Sequence, residues 1–98
     1  MAARARSHAR AERVITVHLP AMLRPHAGGA DVLTIIRPVQ SMSELLVALE
    51  RKAPRLVRQL DDSVFNFAVN DEMLLHGVQA HPLKDGDRVE IVPAISGG

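Results

Sequence analysis

Apolar and polar residues alternate along several short stretches of this chain, and each alternation predicts a half-buried strand. In the first, Val14 to Leu19, Ile15, Val17 and Leu19 point one way, while Val14, Thr16 and His18 point the other. Pro20 stops it. Ala21 to Gly29 then reads as a loop in which Leu23 reaches the core, with Gly28-Gly29 as a turn signal. That glycine pair lacks the lysine and following helix of a phosphate-cradling loop, so a hairpin connection is expected. Asp31 to Arg37 is rich in β-branched residues and predicts a second strand, antiparallel to the first and closed by Pro38.

The period then lengthens. Met42, Leu45, Leu46, Leu49 and Ala53 recur at helical spacing and form one stripe suited to cover a sheet. Ser41 and Glu44 fit a capping box, each accepting from the other's backbone N–H. Pro54 is expected to end the helix. A further helical turn within Arg55 to Asp62 would tuck in Leu56 and Leu60. Alternation returns at Val64 to Asn70, with Phe65, Phe67 and Val69 inward. Asn70-Asp71 predicts a turn, Met73 to His76 a short strand, and Gly77 to Pro82 a loop. Lys84 to Asp87 is a turn built on Asp85-Gly86, since glycine accepts positive φ without steric cost. The last strand, Arg88 to Val92, turns Val89 and Ile91 inward, and Pro93, lacking an N–H, is expected to end ladder pairing. This order predicts an α+β domain: a sheet with one main helix packed on one face.

Composition narrows the possibilities. The chain has 98 residues and only two aromatics, Phe65 and Phe67, so Leu, Ile, Val and Met must supply one small core. With no cysteine, the chain holds no disulfide, thiolate metal site or thiol nucleophile of its own. No apolar run reaches the length of a membrane span, and the N-terminus lacks the apolar segment of a secretory signal, so no membrane association and a cytoplasmic location are expected. Residues 1–13 carry a net charge of +3 and the remainder −2, which predicts a flexible basic arm before a mildly acidic domain. Without a basic face or aromatic platform on that domain, nucleic acid is not an expected partner. The histidines (His8, His18, His26, His76 and His81) lack metal-site spacing, and no metal site is expected. The carboxylates Asp61-Asp62, Asp71-Glu72, Asp85 and Asp87 read as turn and surface groups.

The remaining chemistry lies at the end of the sequence. Gly97-Gly98 has no Cβ, so other backbone can close around it and pass its carboxylate into a narrow cleft. A free α-carboxyl group ionises at roughly pH 3.5, so near neutral pH it is an anionic oxygen nucleophile. It can attack the α-phosphate of ATP and form an acyl adenylate. The competing reading is an inert, frayed terminus.

The run Leu83-Lys84-Asp85-Gly86-Asp87 through Val92-Pro93, with its short spacer and Ser96-Gly97-Gly98, resembles the ubiquitin-like sulfur-carrier family. Members include the molybdopterin synthase small subunit and the thiamine and cysteine-biosynthesis sulfur carriers. The likeness covers most of Val14 to Gly98, and the Leu19 to Gly29 loop is most similar to the cysteine-biosynthesis branch. Ala94 stands where molybdopterin-type carriers often have a second proline. The resemblance implies a β-grasp fold over residues 14–93, with the first and last strands parallel at the centre of a mixed sheet, followed by a flexible tail over residues 94–98. It implies a non-catalytic carrier, adenylated and thiocarboxylated at Gly98, that binds no cofactor while its activating enzyme uses ATP. The implied partners are a ubiquitin-activating-type adenylating enzyme, a sulfurtransferase or other sulfur donor, and an acceptor: the molybdopterin synthase large subunit or a cysteine synthase. Contacts are expected through Arg88, Val92, Pro93, Ala94, Ile95 and Ser96, beside an outer sheet face carrying Thr16, His18, Asn66, Ala68 and Glu90. A protein modifier conjugated through Gly98, or an interaction module with an inert tail, are the rival readings.

Overall fold

The computed structural model describes residues 11–60 and 64–94. The arm over residues 1–10 and the tail residues Ile95, Ser96, Gly97 and Gly98 therefore lie outside the described residues. Strand β1 spans Arg13–His18 and β2 Val32–Arg37. They pair antiparallel, residue for residue from Arg13 opposite Arg37 to His18 opposite Val32. The connection between them is a 3₁₀ segment, Ala21–Ala27, where the sequence predicts a loop. Leu23 anchors it in the core, and Gly28 caps it at φ 66°.

Helix α1, Met42–Lys52, buries Met42, Leu45 and Leu49 against the sheet. Its N-terminus corrects the predicted capping box. Ser41 Oγ accepts from the Glu44 N–H at 3.4 Å, but Glu44 Oε1 accepts from Gln40 at 2.7 Å, one residue before the cap. Ser41 itself pairs with Pro82 as an isolated bridge, flanked by Met42 N–H to His81 O and Leu83 N–H to Gln40 O. The helix start is thereby tied to the segment that leads into the last strand. Pro54 ends α1 and opens a short helix α2, Pro54–Val57, because its fixed φ and missing N–H suit a first turn. Leu56 from α2 is completely buried.

Strand β3, Phe65–Val69, buries Phe65, Phe67 and Val69 as expected. It also buries Ala68, which alternation places on the exposed outer face. That methyl group stands on the outer side between the longer residues Glu90 and Met73, its register partners. Asn70 and Asp71 both adopt positive φ, 50° and 72°, the pattern of a type I′ hairpin turn. So tight a turn makes pairing resume at once, and β4 is Glu72–Met73 rather than Met73 to His76. Gly77, at φ 58°, then leads the chain into a second 3₁₀ segment, Val78–Ala80.

Strand β5, Arg88–Pro93, completes a five-stranded sheet ordered β2-β1-β5-β3-β4. It runs parallel to β1 and antiparallel to β3. The mixed sheet, with its first and last strands adjacent at the centre and one helical layer over one face, is the ubiquitin-like β-grasp. Truncating the α1 stripe is expected to be costly: Leu49→Ala should lower stability by about 2–5 kcal/mol. In urea unfolding this appears as a lower midpoint at unchanged slope.

Candidate functional site

The candidate site is the last strand and its two ends. Its entry is the turn Lys84 to Asp87, closed by the Asp87 N–H donating to Lys84 O at 3.1 Å, with Gly86 at φ 89°. The turn docks on β1. Gly86 N–H donates to Val14 O at 2.9 Å, Val14 N–H to Asp85 Oδ1 at 2.7 Å, and Thr16 N–H to Asp87 O at 3.2 Å.

Asp87 is not the surface group that composition implies. It is only 7% exposed. Its Oδ2 accepts from the Lys84 N–H at 2.8 Å and its Oδ1 from Asn70 Nδ2 at 2.9 Å. The Asn70 side-chain oxygen in turn accepts from the Arg88 N–H at 3.0 Å, and the Asn70 N–H donates to Arg88 O at 2.8 Å. A carboxylate and an amide on two turns thus brace the start of β5 against β3. Burying a carboxylate is tolerable only with such donors. In the sequence, Asn70 and Asp87 each read as turn formers alone. The signal that pairs them is long-range, and nothing in the local spacing reveals it.

Arg13, which composition groups with the basic arm, is the first residue of β1. Its guanidinium donates to Leu83 O at 2.6 Å and to Val39 O at 3.3 Å, which ties the approach to this turn to the β2–α1 connection.

At the other end, Pro93 does not stop the pairing. It sits opposite Phe65, and the following Ala94 N–H donates to Val64 O at 2.6 Å. Residues bonded to β3 alternate along β5, and Pro93 falls between them, so its missing N–H faces the side where β1 has already ended. A proline is admissible there. Val92, Pro93 and Ala94 lie together at this exit, all partly buried. Arg88 lies at the opposite end of β5, about 17 Å from Pro93 at the usual strand rise, and pairs with Asp71. Ile95, Ser96, Gly97 and Gly98 continue beyond the described residues.

Beside the exit is an open groove of about 330 Å³ between β5 and the start of the β1–β2 connection. His18 and Arg24 line it together with Asp31 and Glu90, and Val92 and Pro93 form its wall at the root of the tail. Among the described residues no group of three His, Asp or Glu is placed to hold a metal ion, and no helix is long and apolar enough to cross a membrane.

A β-grasp sheet whose first and last strands lie parallel at its centre defines a ubiquitin-like fold. Residues 17–98 match the ThiS family, and the chain belongs to it. It is similar to the sulfur carrier protein CysO of Mycobacterium tuberculosis, 31% identical over 93 residues, covering 86% of this chain and 98% of that protein. The crystal structure of M. tuberculosis CysO superposes with a TM-score of 0.72 over 83% of this chain and 99% of that one. The matched chain of the Amycolatopsis orientalis BexX/CysO complex is 31% identical, with a TM-score of 0.69 over 86% of this chain and 99% of that one. The small archaeal modifier protein 1 of Methanosarcina acetivorans is 26% identical, with a TM-score of 0.70 over 89% of this chain and 98% of that one. The relatives at 31% identity are named sulfur carrier proteins, in agreement with the carrier expected from the sequence.

The brace at the entry of β5 gives a graded expectation. Asp87→Ala strands two donors and should destabilise by about 1–3 kcal/mol. Asp85→Ala, which removes one exposed bond, should cost at most about 1 kcal/mol. Chemical denaturation of both variants checks the order, and an equal or reversed cost would remove Asp87 from its bracing role.

Proposed function

We propose that this chain carries sulfur on the carboxylate of Gly98. The carboxylate oxygen attacks the α-phosphorus of ATP in an adenylating enzyme, pyrophosphate departs, and an acyl adenylate forms. Hydrosulfide released by a donor protein then attacks the acyl carbon, AMP departs, the sulfur loses its proton, and a thiocarboxylate remains. An acceptor enzyme takes that sulfur into its product. No step needs a catalytic side chain from the carrier.

One observation carries the reading. Among the described residues Ala94 is the last position held by a sheet bond, to Val64, and in the sequence it is followed by Ile95-Ser96-Gly97-Gly98 within the span that matches the family. Four residues past that anchor reach at most about 14 Å. The folded domain then stays outside an enzyme while a terminus without side chains enters. The groove beside Val92 and Pro93 offers both charge signs to a docking enzyme at the same end of the sheet. The Amycolatopsis relative occurs in a complex with BexX, which supports an acceptor that binds the carrier directly. Val92, Pro93, Ala94, Ile95 and Ser96 are the proposed contact residues, with Arg88 contributing from the far end of the strand. The cytoplasm is the proposed location.

A modifier role is the second reading, favoured by the likeness to the small archaeal modifier protein. It shares the adenylation and differs in using a lysine amine as the nucleophile. Intact-mass analysis of the protein recovered from cells separates them. A mass gain equal to one oxygen replaced by sulfur is expected, whereas conjugates on other proteins would establish the modifier. Deleting Gly98, or adding a residue after it, should abolish ATP–pyrophosphate exchange with the adenylating enzyme and leave the unfolding midpoint unchanged. Exchange that survives the deletion overturns the proposal.

A further inference from the structure

β2 is an edge strand with no neighbour beyond it among the described residues, and its Ile36–Arg37 end lies at the end of the sheet away from the β5 exit. Leu19 N–H donates to Asp31 O and Thr16 N–H to Asp87 O. With the β1–β2 register, these bonds place the odd-numbered residues of β2 on β1 and turn the backbone groups of Val32, Thr34 and Ile36 outward. Among the described residues those outward groups have no backbone partner. Thr34 and Ile36 are also exposed, Ile36 by 53%. Such an edge is a template for another strand unless something blocks it.

What flanks the edge selects the strand. A cleft of about 520 Å³ runs between β2 and α1, with Ile35 and Ala48 at its base and Arg37, Arg51 and Lys52 around it. The cleft continues along the helix past Val47, which is 55% exposed. Arg37, Arg51 and Lys52 form no ion pair among the described residues. The carboxylate that lines this path, Glu44, accepts from the Gln40 N–H at 2.7 Å. Arg51 and Lys52 also complement the carbonyl end of α1, but Arg37 is on a strand and has no such duty.

We propose that the β2 edge and the β2–α1 cleft bind an extended segment of a partner protein that joins apolar residues to an acidic flank. Its backbone pairs with Thr34 and Ile36. Its alternate side chains enter the cleft over Ile35 and Ala48, and its carboxylates meet Arg37, Arg51 and Lys52. This is strand addition, in which the backbone bonds supply affinity and the side-chain pockets supply choice. A second copy of this chain suits the site less well, because pairing two β2 edges would bring like-charged clefts together. Nucleic acid would find the cations but no aromatic ring on which to stack a base. Because the cleft and the exit of β5 lie at opposite ends of the sheet, the segment can be held while Gly98 is engaged elsewhere.

The test is a titration of the isotope-labelled full chain with a synthetic peptide of four alternating valines and isoleucines followed by four glutamates, read by amide shifts and hydrogen exchange. Shifts are expected at Thr34 to Arg37 and Ala48 to Lys52, with new exchange protection at Thr34 and Ile36. Thr34→Pro removes an outward N–H at a position where an edge strand tolerates proline, and should abolish binding without loss of fold. The triple variant Arg37→Glu, Arg51→Glu, Lys52→Glu should weaken binding by at least about tenfold, and added salt should do likewise. Several outcomes overturn the proposal: no binding, shifts confined to the outer sheet face, or equal binding by Thr34→Pro. Concentration-dependent shifts at the same residues without peptide assign the edge to a second copy. Equally tight binding of a thymidine oligonucleotide shows charge attraction alone.

Discussion

The structure depends on the pairing of β5 with β1. These strands are joined by the whole intervening chain, yet they lie side by side and parallel at the centre of the sheet. A parallel pair cannot be closed by a tight turn. Its register must be set from outside, and here the Lys84 to Asp87 turn sets it by bonding to Val14 and Thr16. Asp87 and Asn70 align the same strand with β3. Arg13 and the Ser41–Pro82 bridge hold the approach. The position of the β5 exit, in the middle of one end of the sheet, follows from this placement.

The elements were legible because each rests on a local rule. Alternation marked Ile15 and Val17, and Phe65 and Phe67, as core. The helical stripe from Met42 to Leu49 was equally plain. The missed details came from contacts between distant residues. Glu44 bonds to Gln40, the residue whose carbonyl also receives Leu83 from a distant part of the chain. Pro93 stays within the sheet because its nitrogen faces a gap left by β1, which only the strand order reveals. The burial of Asp87 required knowing that Asn70 lies beside it. Ala68 obeys the predicted alternation, but its small size lets its neighbours cover it.

The candidate site was legible in a different way. The Gly97-Gly98 end and the Leu83 to Pro93 run carried the family resemblance, and the match over residues 17–98 bears that out. No periodicity argument could have supplied the strand order 2-1-5-3-4, since many α+β arrangements share the same succession of elements. The basic cleft escaped notice for a similar reason. Arg37, Arg51 and Lys52 come from a strand and a helix and converge only when α1 packs across β2.

The direction of β5 also has a mechanical consequence. Tension applied through the tail acts along the strand, while the bonds to β1 and β3 lie across it. The load is therefore shared as shear by both ladders at once, and they cannot open one bond at a time like a zipper. Were an enzyme to draw the terminus into its interior, as proposed, the domain would resist the pull as one body, like a handle.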